Sequence, residues 1–264
     1  MKIEKGEYEY LTSYKDNMFN FNIDKRVIYV IIIILVVFSV VDYARNPMQL
    51  VALLLTLPGV IIAITFHEFA HAFAADKLGD DTPRYQKRLT LNPLAHIDPI
   101  GLLMLIFVHF GWGKPVEINP ANFNRKRSMS AQEAIVAFAG PLMNLIIAII
   151  LTIVLCIIGK FAPNFVLTQV GFFVVLTIQL AIQVNIGLGI FNLVPLPPLD
   201  GSKILMHFLP YNAKMWFKNN QNIFYIIFLV LWLTNLVSYI IDPVISVTSN
   251  GIFALVSGIF GLFG

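Results

Sequence analysis

Six long stretches without a charged residue are the feature that most constrains the fold of this chain. They cover residues 27–41, 46–66, 134–159, 161–199, 219–241 and 243–264. A helix that crosses a bilayer needs about 20 consecutive apolar residues. The first stretch reaches that length if Asp42 sits at the membrane interface, and the fourth is long enough for a helix and a loop. We therefore expect an all-α polytopic membrane protein with about six transmembrane helices.

The overall composition excludes several other classes of protein. Of the 264 residues, 58% are hydrophobic and only 12% are charged, whereas a soluble domain carries about 25% charged residues. A soluble enzyme, a disordered chain and a nucleic-acid-binding domain are all excluded, so the expected partner is the lipid bilayer and not nucleic acid. The single cysteine, Cys156, cannot form an intrachain disulfide.

A seventh apolar segment, residues 99–113, is too short to span a bilayer. It lies inside the most polar region of the chain, between the second and third long stretches. We interpret it as a re-entrant or interfacial element, and its periodicity is compatible with either a helix or a strand.

The positions of the basic residues predict the topology. If six spans alternate, residues 1–26, 76–130 and 200–218 share one side of the membrane and hold 16 of the 18 Lys and Arg residues. Because basic residues are enriched on the cytoplasmic side, we expect a multi-pass protein of the cell membrane with both termini in the cytoplasm. Residues 1–26 would form a cytoplasmic N-terminal segment. Residues 27–264 would form one membrane-embedded domain, with its motif-bearing core at about 48–210.

The second long stretch ends in a motif that is typical of zinc sites. His67, Glu68 and His71 form H-E-x-x-H. On a helix, residues i and i+4 share a face, so both imidazoles can bind one metal ion. Glu68 lies beside them, where a carboxylate can take a proton from the water that attacks a carbonyl carbon. Ionisable residues at the end of an apolar span are usually functional.

A catalytic zinc site needs a third protein ligand. His96, His109, His207 and the carboxylates are candidates. The predicted topology favours Asp200, because the fourth stretch ends at Pro195, Pro197 and Pro198 on the same side as H-E-x-x-H. The residues alone leave open an equal alternative, in which Asp200 caps the N-terminus of a helix over 202–209.

Together, these residues resemble the site-2 protease family of intramembrane zinc metalloproteases. The resemblance is carried by His67–His71 and by the distal run 192–201, NLVPLPPLDG. It covers about 60–210 and implies one Zn²⁺ per chain, held by His67, His71 and Asp200, with Glu68 as the catalytic base. Residues 139–144, AGPLMN, resemble the AGPxxN motif of the same family. Residues 91–99, LNPLAHIDP, resemble its compact bacterial form, which lacks PDZ and CBS domains.

Two asparagines in apolar surroundings are further candidates for the site. Asn144 and Asn192 could donate to an oxyanion or hold the substrate backbone. The alternative for each is hydrogen bonding between helices, which is common for membrane asparagine.

The function expected from this resemblance is hydrolysis of peptide bonds in or near the transmembrane segments of membrane-protein substrates, that is, regulated intramembrane proteolysis. A regulatory membrane partner is compatible with it, but no residue identifies one. The alternative from another class is a non-catalytic membrane scaffold that binds metal or holds a partner helix. Glu68 distinguishes the two, because a scaffold does not need it.

Overall fold

The computed structural model describes residues 25–108, 111–124, 126–234 and 236–262. The described residues are mainly helical, as expected for a chain whose backbone polar groups must be satisfied in lipid. The α-helices are α1 (Lys25–Arg45), α2 (Pro47–Lys77), α3 (Thr82–Tyr85), α4 (Pro99–Val108), α5 (Met129–Phe161), α6 (Pro163–Val166), α7 (Gln169–Asn192), α8 (Asp200–Phe208), α9 (Tyr211–Asn219), α10 (Gln221–Leu233) and α11 (Leu236–Leu262). Two 3₁₀ turns lie at Pro93–Ala95 and Pro120–Asn122.

The all-α membrane class is confirmed, but the number of spans differs from six. Among the described residues, four helices are long and apolar enough to cross a membrane: α2, α5, α7 and the part of α11 at Ser238–Gly261. The first expected span forms helix α1, which lies in a compact unit ending at Arg45, and a second unit starts at Asn46.

The boundary between the fifth and sixth expected spans was placed wrongly. The fifth was expected to run to residue 241, but α10 is a 13-residue helix that ends at Leu233. The hydroxyl of Thr234, the residue that follows, donates to the carbonyl of Val230 (2.7 Å). Asp242 then lies inside α11. Its helix face is polar, since Ser249 lies two turns further on and accepts a hydrogen bond from Gln183 of α7 (3.0 Å).

Helices α2, α5 and α7 pack against one another and form the core of the second unit. Small residues allow their close approach: a Cβ on Gly59 of α2 would lie 2.6 Å from the Cα of Ala181 in α7. Ala148, Ile182 and Ile186 fill the interface between α5 and α7.

The polar and apolar faces of these helices are reversed relative to a soluble protein. Phe161, Val170 and Phe172 are more than half exposed, whereas Asn144 and Asn185 have no exposed surface. A soluble protein does not leave such large apolar surfaces uncovered. The outer surface is therefore suited to lipid, and the polar groups are directed to the helix interfaces.

The expected re-entrant element is a helix followed by an extended segment. Helix α4 occupies residues 99–108, and the chain then returns to its starting point, because Ile97 and Gly113 form an antiparallel bridge. We call residues 111–119 the strap. The amide of Lys114 donates to the carbonyl of His96 (2.7 Å).

The far end of the strap is fixed to the loop that follows α2. The amide of Asn119 donates to the buried carboxylate of Asp80 (2.7 Å), and the side chain of Asn122 donates to the same carboxylate (3.0 Å). The strap therefore runs between two fixed points beside the C-terminal half of α2.

Candidate metal centre

Two histidines and one carboxylate meet where α2, α5 and α8 come together. The Nε2 atoms of His67 and His71 lie 3.0 Å apart. Oδ2 of Asp200 lies 3.2 Å from the first and 3.1 Å from the second. All three residues are buried, with 6–8% of their surface exposed. We call His67, His71 and Asp200 the triad, and their ligand atoms lie close enough together to hold one metal ion.

The outer nitrogens of the two imidazoles show which tautomer each ring adopts. Nδ1 of His67 lies 2.6 Å from Oδ1 of Asn144, and Nδ1 of His71 lies 2.7 Å from the carbonyl of Val136. Both partners are acceptors, so each Nδ1 carries the proton and donates it. In the neutral ring, each Nε2 then directs a lone pair into the site, as in histidines that bind metal.

The orientation of the Asn144 amide is fixed by its other contacts. Its Nδ2 donates to the carbonyl of Ala63 (3.0 Å) and to Oδ1 of Asn185 (3.1 Å). Asn185 in turn donates to the carbonyl of Ala181 (2.8 Å). The oxygen of Asn144 must therefore face His67.

The donor set of the triad fits a zinc ion. Two imidazole lone pairs and one carboxylate oxygen are all acceptors, and three acceptors this close repel one another unless a cation lies between them. Two histidines and one carboxylate form a known ligand set for catalytic zinc. The chemistry of the three side chains therefore matches the expected cofactor.

Asp200 does not have the geometry of a helix cap. It is the first residue of α8, whose N-cap position is Leu199. Its carboxylate faces the histidines, and Lys203 lies 3.9 Å from its other oxygen. The sequence left two roles open for Asp200, a metal ligand or a helix cap. The structure places its carboxylate beside the histidines.

Gly140 of α5 makes room for the two imidazoles. A Cβ at this position would lie 2.5 Å from Nε2 of His71 and 2.7 Å from Cε1 of His67. Any larger residue would push the rings out of place. The AGPLMN segment thus contributes a glycine that admits the rings and, one turn later, Asn144, which orients one of them.

Glu68 is half-buried and points to the strap. Its Oε2 accepts a hydrogen bond from the backbone amide of Val116 (2.8 Å). The strap lies close to α2 at this point, since a Cβ on Gly113 would be 2.6 Å from a methyl group of Ile64. The carboxylate next to the triad is thus held by backbone.

The remaining candidate residues have other partners. His96 is fully buried and its Nε2 donates to the carbonyl of Thr90 (2.7 Å). Nδ1 of His207 lies 3.1 Å from the hydroxyl of Ser130. Asn192 donates to the carbonyl of Leu188 in its own helix (3.0 Å). His109 lies outside the described residues.

The contacts of Asn144 change the role expected for it. Both of its amide hydrogens are used by Ala63 and Asn185, so neither is left to donate to an oxyanion. Its geometry is that of a residue that orients His67. Sequence reasoning missed Asn185, although an amide in the middle of an apolar helix is a signal that would have identified it.

An all-α membrane protein with such a triad is, as a class, an integral-membrane metalloprotein. Residues 167–234 match the family model for Peptidase family M50. YwhC of Bacillus subtilis (strain 168), named as a candidate zinc metalloprotease, is 36% identical over 201 residues, which are 76% of this chain and 90% of its own length.

Two other relatives with similar names match shorter parts. Rip2 of Mycobacterium tuberculosis is 30% identical over 56% of this chain and 54% of its own length. MJ0611 of Methanocaldococcus jannaschii is 33% identical over 31% of this chain and 35% of its own length. No solved structure matched the chain. The chain belongs to peptidase family M50 and is a membrane zinc metalloprotease.

Proposed function

We propose that this protein hydrolyses peptide bonds in or near the transmembrane segments of other membrane proteins, as in regulated intramembrane proteolysis. The observation that carries the proposal is the triad, which brings three acceptor atoms together without a donor. Glu68 directly follows His67 in α2, a helix that is long and apolar enough to span a membrane. A substrate that reaches such a site has to come from the membrane or its surface.

The roles of the four residues follow from their chemistry. His67, His71 and Asp200 hold Zn²⁺, which, when bound, polarises a carbonyl group and makes water easier to deprotonate. Glu68 takes a proton from the attacking water as its oxygen bonds to the carbonyl carbon. Glu68 then gives that proton to the amide nitrogen as the carbon–nitrogen bond breaks.

A substrate helix has to unwind before it is cleaved, because its amides are hydrogen-bonded within the helix. Residues 99–108 are helical, whereas the strap that follows them is not. We propose that the unwound substrate segment lies along the strap, with main-chain hydrogen bonds between them. We also propose that Asn192 supports the substrate.

The test compares membranes that contain the wild-type protein with membranes that contain Glu68→Gln. Quantitative proteomics should find at least one membrane protein that accumulates uncut with the variant, together with loss of its shorter product. A scaffold that only binds metal or holds a helix does not use Glu68 as a base. Identical membrane proteomes for the two proteins, at equal expression, would therefore support the scaffold.

A further inference from the structure

Arg88 is a buried charged residue that the mechanism above does not use. It is 4% exposed. Lys87, directly before it, has a positive φ of 56°, a conformation that is uncommon for residues other than glycine. This sharp turn ends the segment after α3 and directs the Arg88 side chain inward, toward the strap.

The guanidinium group of Arg88 holds two consecutive carbonyl groups of the strap. Its Nη2 donates to the carbonyl of Lys114 and to the carbonyl of Pro115, the latter at 2.8 Å. The next backbone group along the strap is the amide of Val116, which donates to Oε2 of Glu68. A continuous path of hydrogen bonds and two peptide units thus joins Arg88 to the carboxylate beside the triad.

The charges in this region support the same connection. Nη1 of Arg88 is buried and has no hydrogen-bond partner among the described residues. Burial lowers the pKa of Arg88, and the charges of Glu68 and Glu117 oppose that shift. A buried guanidinium costs several kcal/mol unless a negative charge compensates it, and Glu68 is a carboxylate that acts on it.

We propose that Arg88 is a positioning residue for Glu68. By holding the carbonyls of Lys114 and Pro115, it places the Val116 amide where that amide fixes the Glu68 carboxylate beside the triad. The inference rests on the proposed role of Glu68 as the catalytic base. It adds a residue, 20 positions after Glu68 in the chain, that determines the geometry of that base.

The first test measures zinc content, kcat and KM for Arg88→Gln. The substrate is a reporter with a single spanning segment that carries a Gly-Pro helix breaker. Because partners of this kind typically contribute about 10- to 100-fold to activity, kcat should fall by about that factor while zinc content stays unchanged. KM should rise by a smaller factor, because the loosened strap is also the proposed binding edge for the substrate. Arg88→Lys should restore part of kcat, since an ammonium keeps the charge but lacks the fork of the guanidinium. Arg84→Gln is the matched control, because Arg84 is exposed and pairs with Asp76.

A second measurement does not depend on catalysis. Hydrogen–deuterium exchange of the peptide that contains residues 111–119 should be faster in Arg88→Gln than in the wild type, and unchanged in Arg84→Gln. Glu68→Ala should also speed exchange there, because it removes the acceptor of the Val116 amide.

The outcomes separate this inference from the proposed function. If Glu68→Gln abolishes cleavage but Arg88→Gln has wild-type kcat, the positioning role is wrong and the protease mechanism stands. If the reporter is not cleaved even by the wild type, exchange alone decides, and unchanged exchange in Arg88→Gln overturns the inference. Cleavage that survives Glu68→Gln overturns the proposed role of Glu68, and with it this inference.

Discussion

At the scale of single residues, the site depends on which atom of each side chain faces inward. The acceptors Asn144 and Val136 bind the outer nitrogens of the two histidines. This arrangement leaves both inner nitrogens as lone pairs next to the Asp200 carboxylate. We therefore expect metal binding and proton transfer to depend on different residues, which can be altered separately.

The first prediction is that zinc binding and turnover separate by residue. His67→Ala, His71→Ala and Asp200→Ala should each lower the zinc content of the detergent-purified protein, because a catalytic site needs three protein ligands. Glu68→Gln should keep its zinc and lose about 100- to 10,000-fold in turnover, the usual contribution of a general base. Metal analysis decides the first part, and full zinc in Asp200→Ala would remove Asp200 from the ligand set.

The second prediction concerns the space that Gly140 leaves for the imidazoles. Gly140→Ala should weaken zinc binding by about 10- to 100-fold, because a Cβ would displace the rings that bind the ion. The control is Gly159→Ala in the same helix, where a Cβ would meet nothing within 4 Å. Titration with a competing chelator measures both affinities, and equal values for the two variants would contradict the prediction.

At the scale of elements, the strap and the loop before it connect the polar region of the chain to α2. The loop contains His96, whose backbone carbonyl binds the amide of Lys114 at the start of the strap. Burial and the charge of Arg88 lower the pKa of His96, and its hydrogen bond to Thr90 opposes this only in part. His96 is therefore neutral in the folded loop.

The third prediction is that this loop loses stability in mild acid. The unfolded histidine has a pKa of about 6.5, and the folded one has a lower pKa. The contribution of His96 to the stability of the folded loop is thus fully present above about pH 6.5. It declines as the pH falls from there toward the folded pKa, because in that range the unfolded state binds more protons than the folded state. Exchange of the peptide around residues 93–98 should speed up more steeply on acidification in the wild type than in His96→Gln. Comparing the two proteins removes the effect of zinc loss, which they share. The same pH dependence of exchange in both proteins would show that protonation of His96 does not affect the stability of the loop.

At the scale of the whole molecule, the apolar outer surface and the buried triad identify a membrane enzyme, and the distribution of charge predicts its orientation. The C-terminal part of α2, the N-terminal half of α5 and the start of α8 all contribute to the site. These parts border the segments 76–130 and 200–218, which are rich in Lys and Arg. The positive-inside rule therefore predicts that the site faces the cytoplasm.

The fourth prediction is this orientation. In a background with Cys156→Ala, a cysteine in Lys126→Cys should react with a membrane-impermeant thiol reagent only after cells are broken open. One in Asn164→Cys, between α5 and α7, should react in intact cells. Both positions are exposed on the protein, so the side of the membrane on which each lies determines whether the reagent reaches it. The reversed pattern would place the site and both termini on the outer side of the membrane.

The local sequence was sufficient for the membrane class and for the pairing of His67 with His71. It predicted about six spans, whereas four helices among the described residues are long and apolar enough to cross a membrane. Transfer of apolar residues into lipid and the i, i+4 spacing of a helix are properties of short segments. The exact ends of helices were less predictable. Helix α10 ends at Leu233, and the charge of Asp242, which the sequence suggested as a boundary, lies inside α11.

The contacts that define the site required the tertiary structure. Asp200 contacts His67 although they lie 133 positions apart in the sequence. Val116 and Glu68 are 48 positions apart, and Asn144 and Asn185 are 41 positions apart. Until the helices are packed, Asp200 is equally suited to cap a helix, and Asn144 to donate to an oxyanion. Packing of α2, α5, α7 and α8 decides between these roles, because a buried polar group must take the partners that the neighbouring helices present to it. The same physical reason directs Arg88, unremarkable in the sequence, to the strap that holds Glu68.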